Sequence, residues 1–391
     1  MEEHVNLLED KAIGVLQGAA VGDAIGGATE GRSAEEIVER YDGYVTGIVD
    51  YFMPDWRTAK PMSPYHKGDG HVTDDTLMTN LLIDVYETVG GHLTPFDIAE
   101  HLVPAMMTKI TWIPELERET VPLLRVFLAE KWLVTRLYYG HIDPREAGVG
   151  NVVNCGAAMY MAPVGIANAG DPDGAYAEAI DLAGAHQLSY GREAAGVFAA
   201  AVAASMTPGT TVDEVLAHTV RLARDGTRSA IEAVLEAADR VTGEGAERWG
   251  NAIAPLRDAI RPFDTVGEHY RVPAQDSRRP SRLKSIEELP VALGFVKVTD
   301  GDARGSILGA TNYGRDSDSI ATMGGAICGG LHGSSGIPAE WVEKVGTASR
   351  LDLTGGGRRM AEVARRVRQA DEERAAARTN AWHALVGGGP Q

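Results

Sequence analysis

Asn312-Tyr313-Gly314-Arg315-Asp316-Ser317-Asp318-Ser319 sets two carboxylates and two serine hydroxyls directly before an apolar run. In that run Ile320, Met323, Ile327 and Leu331 share one helical face. A distant segment, Val72-Thr73-Asp74-Asp75-Thr76, has the same make-up and opens a stretch in which Leu77, Leu81, Leu82 and Val85 recur at helical spacing. Either segment alone reads as ordinary acidic capping of a helix, with Thr73 as N-cap and the acids near the positive end of the helix dipole. Together they read as two halves of one metal site. Carboxylates gathered in one cleft repel, by about 4 kcal/mol for two unit charges ~4 Å apart at an effective dielectric of ~20, and divalent cations relieve that repulsion. Every candidate ligand atom is oxygen, which suits Mg²⁺, with Mn²⁺ or Ca²⁺ as alternatives, and not zinc.

Outward from these segments the chain reads as helices. Leu8, Ala12, Val15, Leu16 and Ala19 form an apolar face that Gly26-Gly27 terminates, inside a glycine-rich loop running from Gly22 to Glu30. Residues 50–71 are rich in Pro, Gly and aromatic side chains and read as a long loop or lid. There Trp56, Tyr65, His66 and His71 either form a stacking platform or pack on the surface. Further helices are predicted over 95–140, 174–187, 191–206, 212–241, 289–297 and 303–310, with a small-residue segment at Asn154–Gly165. A basic, irregular stretch over 262–285 faces solvent in this reading, and a charged helix runs from Arg358 to Arg378. Gly324, Gly325, Gly329 and Gly330 lie inside the helix that follows Asp318. Each weakens a helix by ~1 kcal/mol relative to alanine, so the pattern predicts a close backbone approach by a neighbouring helix. No alternating strand pattern and no fixed-period repeat is present. The class is all-α: one helical domain over 1–350, with a charged helix and tail over 351–391.

Composition narrows the function. Among 391 residues, 37 Lys and Arg stand against 55 Asp and Glu, giving −18, which argues against sequence-independent binding to nucleic acid or to an anionic membrane. Hydrophobic residues at 44% supply a sizeable core. Cys155 and Cys328 sit among small apolar residues and read as reduced and buried. The Met1-Glu2-Glu3 start lacks a basic, apolar leader, and the apolar stretches are too short to span a bilayer, so a cytoplasmic protein is expected.

Four segments, in order, carry a resemblance to a known family: Gly18-Ala19-Ala20-Val21-Gly22-Asp23-Ala24-Ile25-Gly26, Thr73-Asp74-Asp75-Thr76, Met159-Tyr160-Met161-Ala162-Pro163-Val164-Gly165, and Gly314-Arg315-Asp316-Ser317-Asp318-Ser319-Ile320. Across roughly residues 10–345 the chain resembles the ADP-ribosylglycohydrolases, which include ADP-ribosylarginine hydrolases, dinitrogenase reductase-activating glycohydrolases and crystallin relatives. The resemblance implies a compact orthogonal helical bundle around a central binuclear metal cleft. It implies two Mg²⁺ ions held by Thr73, Asp74, Asp75, Asp316, Asp318 and Ser319, the last standing where the family usually has threonine. It also implies a glycosidase that cleaves an N- or O-ribosyl bond and removes ADP-ribose from a modified side chain, arginine first. The partner is then an ADP-ribosylated protein or a ribose-containing small molecule. A nucleoside, nucleotide or specialised metabolite is the alternative substrate, and a non-catalytic crystallin-like role is the alternative class.

Within that frame Glu30, Asp75 and Asp316 are the candidate catalytic residues, with Glu30 either a general acid/base, a ligand or a solvated loop residue. Asp23 reads as structural, binding backbone N–H groups. Asn154, Gly156, Tyr160, His186, Tyr313, Gly314 and Arg315 are the candidate substrate contacts. Three departures from relatives stand out. Cys155-Gly156-Ala157-Ala158-Met159-Tyr160 replaces the common Asn-Gly-Ser-Ala-Met-Arg, Ala185-His186 replaces Thr-His or Ser-His, and Gly314-Arg315-Asp316 replaces Gly-Gly-Asp. Arg315 either meets a phosphate or neutralises a neighbouring acid such as Asp318.

Overall fold

The computed structural model describes residues 6–53, 67–264 and 284–387, with the side chains of 284–286 left out. Trp56, Tyr65, His66, Arg271, Arg278, Arg279 and Arg282 lie outside the described residues. Thirteen helices of eight residues or more make up the described chain: α1 (Leu7–Gly26), α2 (Ala34–Tyr41), α3 (Asp74–Val89), α4 (Pro172–Gly184), α5 (Ser189–Ser205), α6 (Val212–Leu222), α7 (Asp225–Asp239), α8 (Gly245–Ile260), α9 (Lys284–Val298), α10 (Ala303–Tyr313), α11 (Ser317–His332), α12 (Ala339–Ser349) and α13 (Gly355–Gly387). The all-α class holds. The exception is a two-stranded antiparallel hairpin, β1 (Thr111–Ile113) and β2 (Arg118–Thr120), inside the stretch expected to be wholly helical.

α1 and α11 lie antiparallel at the centre of the bundle, closer than ordinary side chains permit. A Cβ on Gly14, Gly18, Gly22 or Gly26 would strike the backbone carbonyl of Gly329, Gly325, Ala321 or Ser317 respectively. Residues four apart stack on one helical face, so both helices present a continuous stripe of minimal side chains. Of the glycines of α11, Gly325 and Gly329 admit α1, whereas Gly324 faces Ser306 of α10 and Gly330 faces Ser205 of α5. α1 also continues through Gly22 and Asp23 to Gly26, where a loop is expected from the sequence, because these residues complete the stripe.

Two other differences have local causes. The segment 212–241 forms two helices, α6 and α7. The break is held by Glu193 Oε1, which accepts from Arg224 N at 2.8 Å, and by Asp225 in the left-handed region at φ 45°. α8 is an additional helix, legible in the helical spacing of its buried Trp249, Ala252, Ile253, Leu256 and Ile260. The first turns of α13 pack into the bundle through Gly357, Met360, Ala361, Val363, Ala364 and Val367, whereas residues beyond Asp371 are exposed. His92 ties α13 to α4 by contacting Glu178 Oε2 at 2.6 Å and Asp371 Oδ2 at 3.1 Å.

Replacing Gly18 or Gly325 with alanine should cost about 3 kcal/mol through overpacking, read as a lower urea midpoint at unchanged slope. A loss under about 1 kcal/mol would mean that the two helices are not in backbone contact.

Candidate functional site

The end of α1 and the start of α11 meet where the glycine stripe runs out. Ser317 Oγ donates to Gly26 O at 2.8 Å, and Thr29 Oγ1 donates to Thr311 O at 2.7 Å. Gly31 N donates to Arg315 O at 2.5 Å and Arg315 N to Arg32 O at 2.7 Å. These bonds fold the turn after α1 back so that Glu30 faces Asp316 and Asp318, with ligand atoms of all three within 4.8 Å of one another.

The second acidic segment is recruited by Asp23. Its Oδ2 accepts from the backbone N–H of Thr73 at 3.0 Å and of Thr76 at 3.1 Å, and its Oδ1 accepts from Thr73 Oγ1 at 2.6 Å. The N-terminus of α3 is therefore capped by a carboxylate from another helix. Thr73 occupies the N-cap position but makes no side-chain capping bond of its own, which corrects the local-cap expectation. Its hydroxyl proton goes to Asp23, leaving the oxygen lone pairs available. The result places Asp23, Asp75 and Asp318 oxygens within 4.8 Å of one another as well.

Asp23, Asp75 and Asp318 are buried, and burial is the largest cause of their raised pKa values. Asp75 is raised by burial and by the charges of Asp23, Asp74 and Asp316, and Asp318 by burial and by Glu30, Asp75 and Asp316. Asp23 is pushed up to about 6 by burial, against the lowering effect of its threonine hydrogen bonds. Asp75 Oδ1 is buried without a hydrogen-bond partner. Asp74 differs: its Oδ1 lies 3.0 Å from Nη1 of the buried Arg125, whose guanidinium also binds Glu115. A fixed cation thus neutralises one acid of the first segment.

The acids floor a cavity of about 280 Å³ whose walls include Phe127, Leu128, Glu130, Val152, Asn154, Cys155, Gly156 and Met159. Of the expected residues, Glu30, Asp74, Asp75, Asp316, Asp318, Ser319, Asn154 and Gly156 line it, and Thr73 sits just behind. Asn154 Oδ1 accepts from Gly156 N at 3.0 Å, shaping that wall. Tyr160 and His186 are fully buried and bond each other, Tyr160 Oη to His186 Nδ1 at 3.0 Å, with His186 Nε2 3.6 Å from Glu130 Oε1. Burial pushes His186 down to about 4, so it is neutral.

Tyr313, Gly314 and Arg315 do not appear among the described lining residues. Tyr313 Oη donates to Glu287 Oε1 at 2.8 Å, and Gly314, at φ 74°, lets the backbone pass the Arg32 carbonyl. Arg315 pairs with Glu287 at 2.6 Å and Asp264 at 2.9 Å. Arg315 thus neutralises neighbouring acids, and these are Glu287 and Asp264 rather than Asp318. His71 contacts Gly68 O at 2.7 Å through Nδ1 and does not line the cavity.

Sequence reasoning passed over Glu130, Arg125, Phe127, Met159 and Glu288. Glu130 is pushed up to about 8 by burial and by the Asp74 charge. A usable signal existed only for Glu288, since Glu287-Glu288 is a charged pair heading an apolar helix. The donor set of carboxylates and hydroxyls, together with the orphaned Asp75 oxygen, fits hard divalent cations.

Comparison with known proteins agrees with this architecture. A family model described as ADP-ribosylglycohydrolase matches residues 4–377. The ADP-ribosylarginine hydrolase Tri1 of Pseudomonas putida (strain GB-1) is 25% identical over 353 residues, covering 88% of this chain and 76% of that protein. An uncharacterized protein of Archaeoglobus fulgidus is 29% identical over 345 residues, covering 86% of this chain and 92% of that protein. Among solved structures, one titled ADP-ribosylglycohydrolase-related protein complex superposes with a TM-score of 0.55 at 19% identity, over 91% of this chain and 97% of that one, a likeness of fold. No helix among the described residues is long and apolar enough to cross a membrane.

The raised carboxyl groups have a consequence for stability. Unfolded Asp and Glu titrate near ~4, whereas Asp23 is at about 6 and Glu130 at about 8 in the folded protein. Between those values the folded chain holds more protons than the unfolded chain, so stability falls as pH rises. Metal-free protein should melt at a lower temperature at pH 8 than at pH 5, and millimolar Mg²⁺ should raise the melting temperature most at pH 8. Melting curves indifferent to both pH and Mg²⁺ would contradict the assembled acidic site.

Proposed function

This chain belongs to the ADP-ribosylglycohydrolase family, and from that premise we propose that it is a Mg²⁺-dependent hydrolase that removes ADP-ribose from modified arginine side chains. The observation that carries the reading is the convergence of Glu30, Asp75, Asp316 and Asp318 on the floor of one cavity. An arginine leaving group adds a reason from charge. Its guanidinium is cationic, and a buried acidic floor attracts it at close range. A relative named ADP-ribosylarginine hydrolase supports the same choice.

Two Mg²⁺ ions, held by Thr73, Asp74, Asp75, Asp316, Asp318 and Ser319, would supply Lewis acidity toward ribose hydroxyls and a more acidic water. The protein's own groups do the rest. Asp74 retains one oxygen for a ligand while Arg125 holds the other. Glu30, on the turn tied to Arg315, is the base that takes the proton from the attacking water. Glu130, held protonated near neutral pH by burial, faces the cavity and protonates the departing nitrogen. The carboxylates of Asp75 and Asp316 stabilise positive charge that develops at the anomeric carbon as the bond breaks. Water adds at that carbon, and the products are ADP-ribose and unmodified arginine. Phe127, Leu128 and Met159 form apolar walls that limit water around the reacting bond.

The test is release of ADP-ribose from ADP-ribosylarginine, followed chromatographically with Mg²⁺ and with a chelator, beside a panel of nucleosides and nucleotides. Turnover of ADP-ribosylarginine should require Mg²⁺, and Asp318→Asn should lower kcat/KM by roughly 10²–10³ with helix content unchanged. Turnover of panel compounds alone would transfer the assignment to another ribosylated small molecule, and a fully active Asp318→Asn protein would remove the proposed site.

A further inference from the structure

At the edge of the acidic floor, two cavity-lining residues and one enclosed glutamate form a cluster of different chemistry. Cys155 comes from the turn Cys155–Ala157, Glu288 from α9 and Asp316 from the residue preceding α11. Their ligand atoms lie within 4.8 Å of one another, and all three residues are buried. Cys155 Sγ donates to Asp316 Oδ2 at 3.1 Å and accepts from Ser319 Oγ at 3.2 Å. Neither oxygen of Glu288 meets a hydrogen-bond donor, the residue is 0% exposed, and its polar neighbour is a second carboxylate, Asp316. Two enclosed carboxylates facing each other need a proton or a cation between them.

We propose that Cys155, Glu288 and Asp316 form a binding site for a thiophilic divalent ion of the zinc class, distinct in chemistry from the all-oxygen set on the cavity floor. Zinc accepts mixed sulfur and oxygen ligands at ~2.0–2.3 Å, which spaces ligand atoms by roughly 3.3–3.8 Å in a tetrahedron. The sulfur-to-Asp316 separation of 3.1 Å already falls near that spacing, and the remaining sides, within 4.8 Å, close by up to about 1.5 Å. Ser319 Oγ, beside the sulfur, is placed to complete the set as a fourth oxygen. On coordination the thiol proton leaves to solvent, so a thiolate and two carboxylates face the dication. A purely oxygen-seeking ion gains nothing from the sulfur, whereas a thiolate ligand selects softer ions. Because Asp316 belongs to both sets, an ion at this position withdraws it from the floor.

The full-length protein, stripped with chelator and titrated with Co²⁺ or Cd²⁺, should show a thiolate-to-metal charge-transfer absorption that saturates near one equivalent. That absorption should vanish in Cys155→Ser, persist in Cys328→Ser, and require at least about tenfold more metal in Glu288→Gln, with circular dichroism confirming that each variant is folded. Absence of the band in the unmodified protein, its survival in Cys155→Ser, or a shift below about tenfold in Glu288→Gln would overturn the site. If Cys155→Ser does not fold, Glu288→Gln decides the matter. None of these readings depends on whether ADP-ribosylarginine is hydrolysed, so the two assignments stand or fall separately.

Discussion

Backbone contact between α1 and α11 is the constraint from which the site follows. Four positions on each helix, spaced by four residues, have little or no side chain facing the other. Only such surfaces allow carbonyl oxygens to touch the opposing Cα atoms along several turns. The antiparallel register then leaves no freedom. Gly26 must sit beside Ser317, so the turn bearing Glu30 and the pair Asp316 and Asp318 arrive at the same place. Asp23, one turn back on α1, adds the third element by capping α3, and with it come Asp74 and Asp75.

The arrangement concentrates buried negative charge, and the protein offsets part of it with fixed cations. Arg125 binds Asp74 and Glu115, and Arg257 and Arg315 share Glu287 and Asp264. Asp75 and Glu288 have no guanidinium among the ion pairs of the described residues. Strongly shifted carboxyl groups confined to one cleft mark a candidate functional site, and the guanidiniums single out the acids held in structural ion pairs. The stability that tolerates this comes from elsewhere, chiefly from the large apolar core and the glycine-stripe contact.

Much of this was legible in the chain. The two acidic segments, the close approach at α11 and the structural use of Asp23 each show in residue type and local spacing, the acidic segments only once they are taken together. The rest depends on contacts between distant positions. Arg315 finds its partners 28 and 51 residues away, and Cys155 meets Asp316 161 residues away. Glu130 sits in a segment without motif, so only its burial beside the cavity distinguishes it from a surface glutamate. Tyr160 and His186, singled out by the resemblance, bond each other at 3.0 Å, a pairing that no local pattern in the chain displays.

Arg315 couples backbone strain to enclosed charge. It holds a left-handed backbone at φ 58°, a conformation that glycine adopts freely and that burdens other residues by roughly 1–2 kcal/mol. Glycine at this position would relax the backbone but strip one of two guanidiniums from a pair of carboxylates whose side chains are wholly enclosed. Uncompensated enclosed charge is worth several times the strain relieved, about 3–5 kcal/mol. The strain at Arg315 and the charge of Glu287 and Asp264 are therefore coupled, so that none of the three can be changed alone without cost.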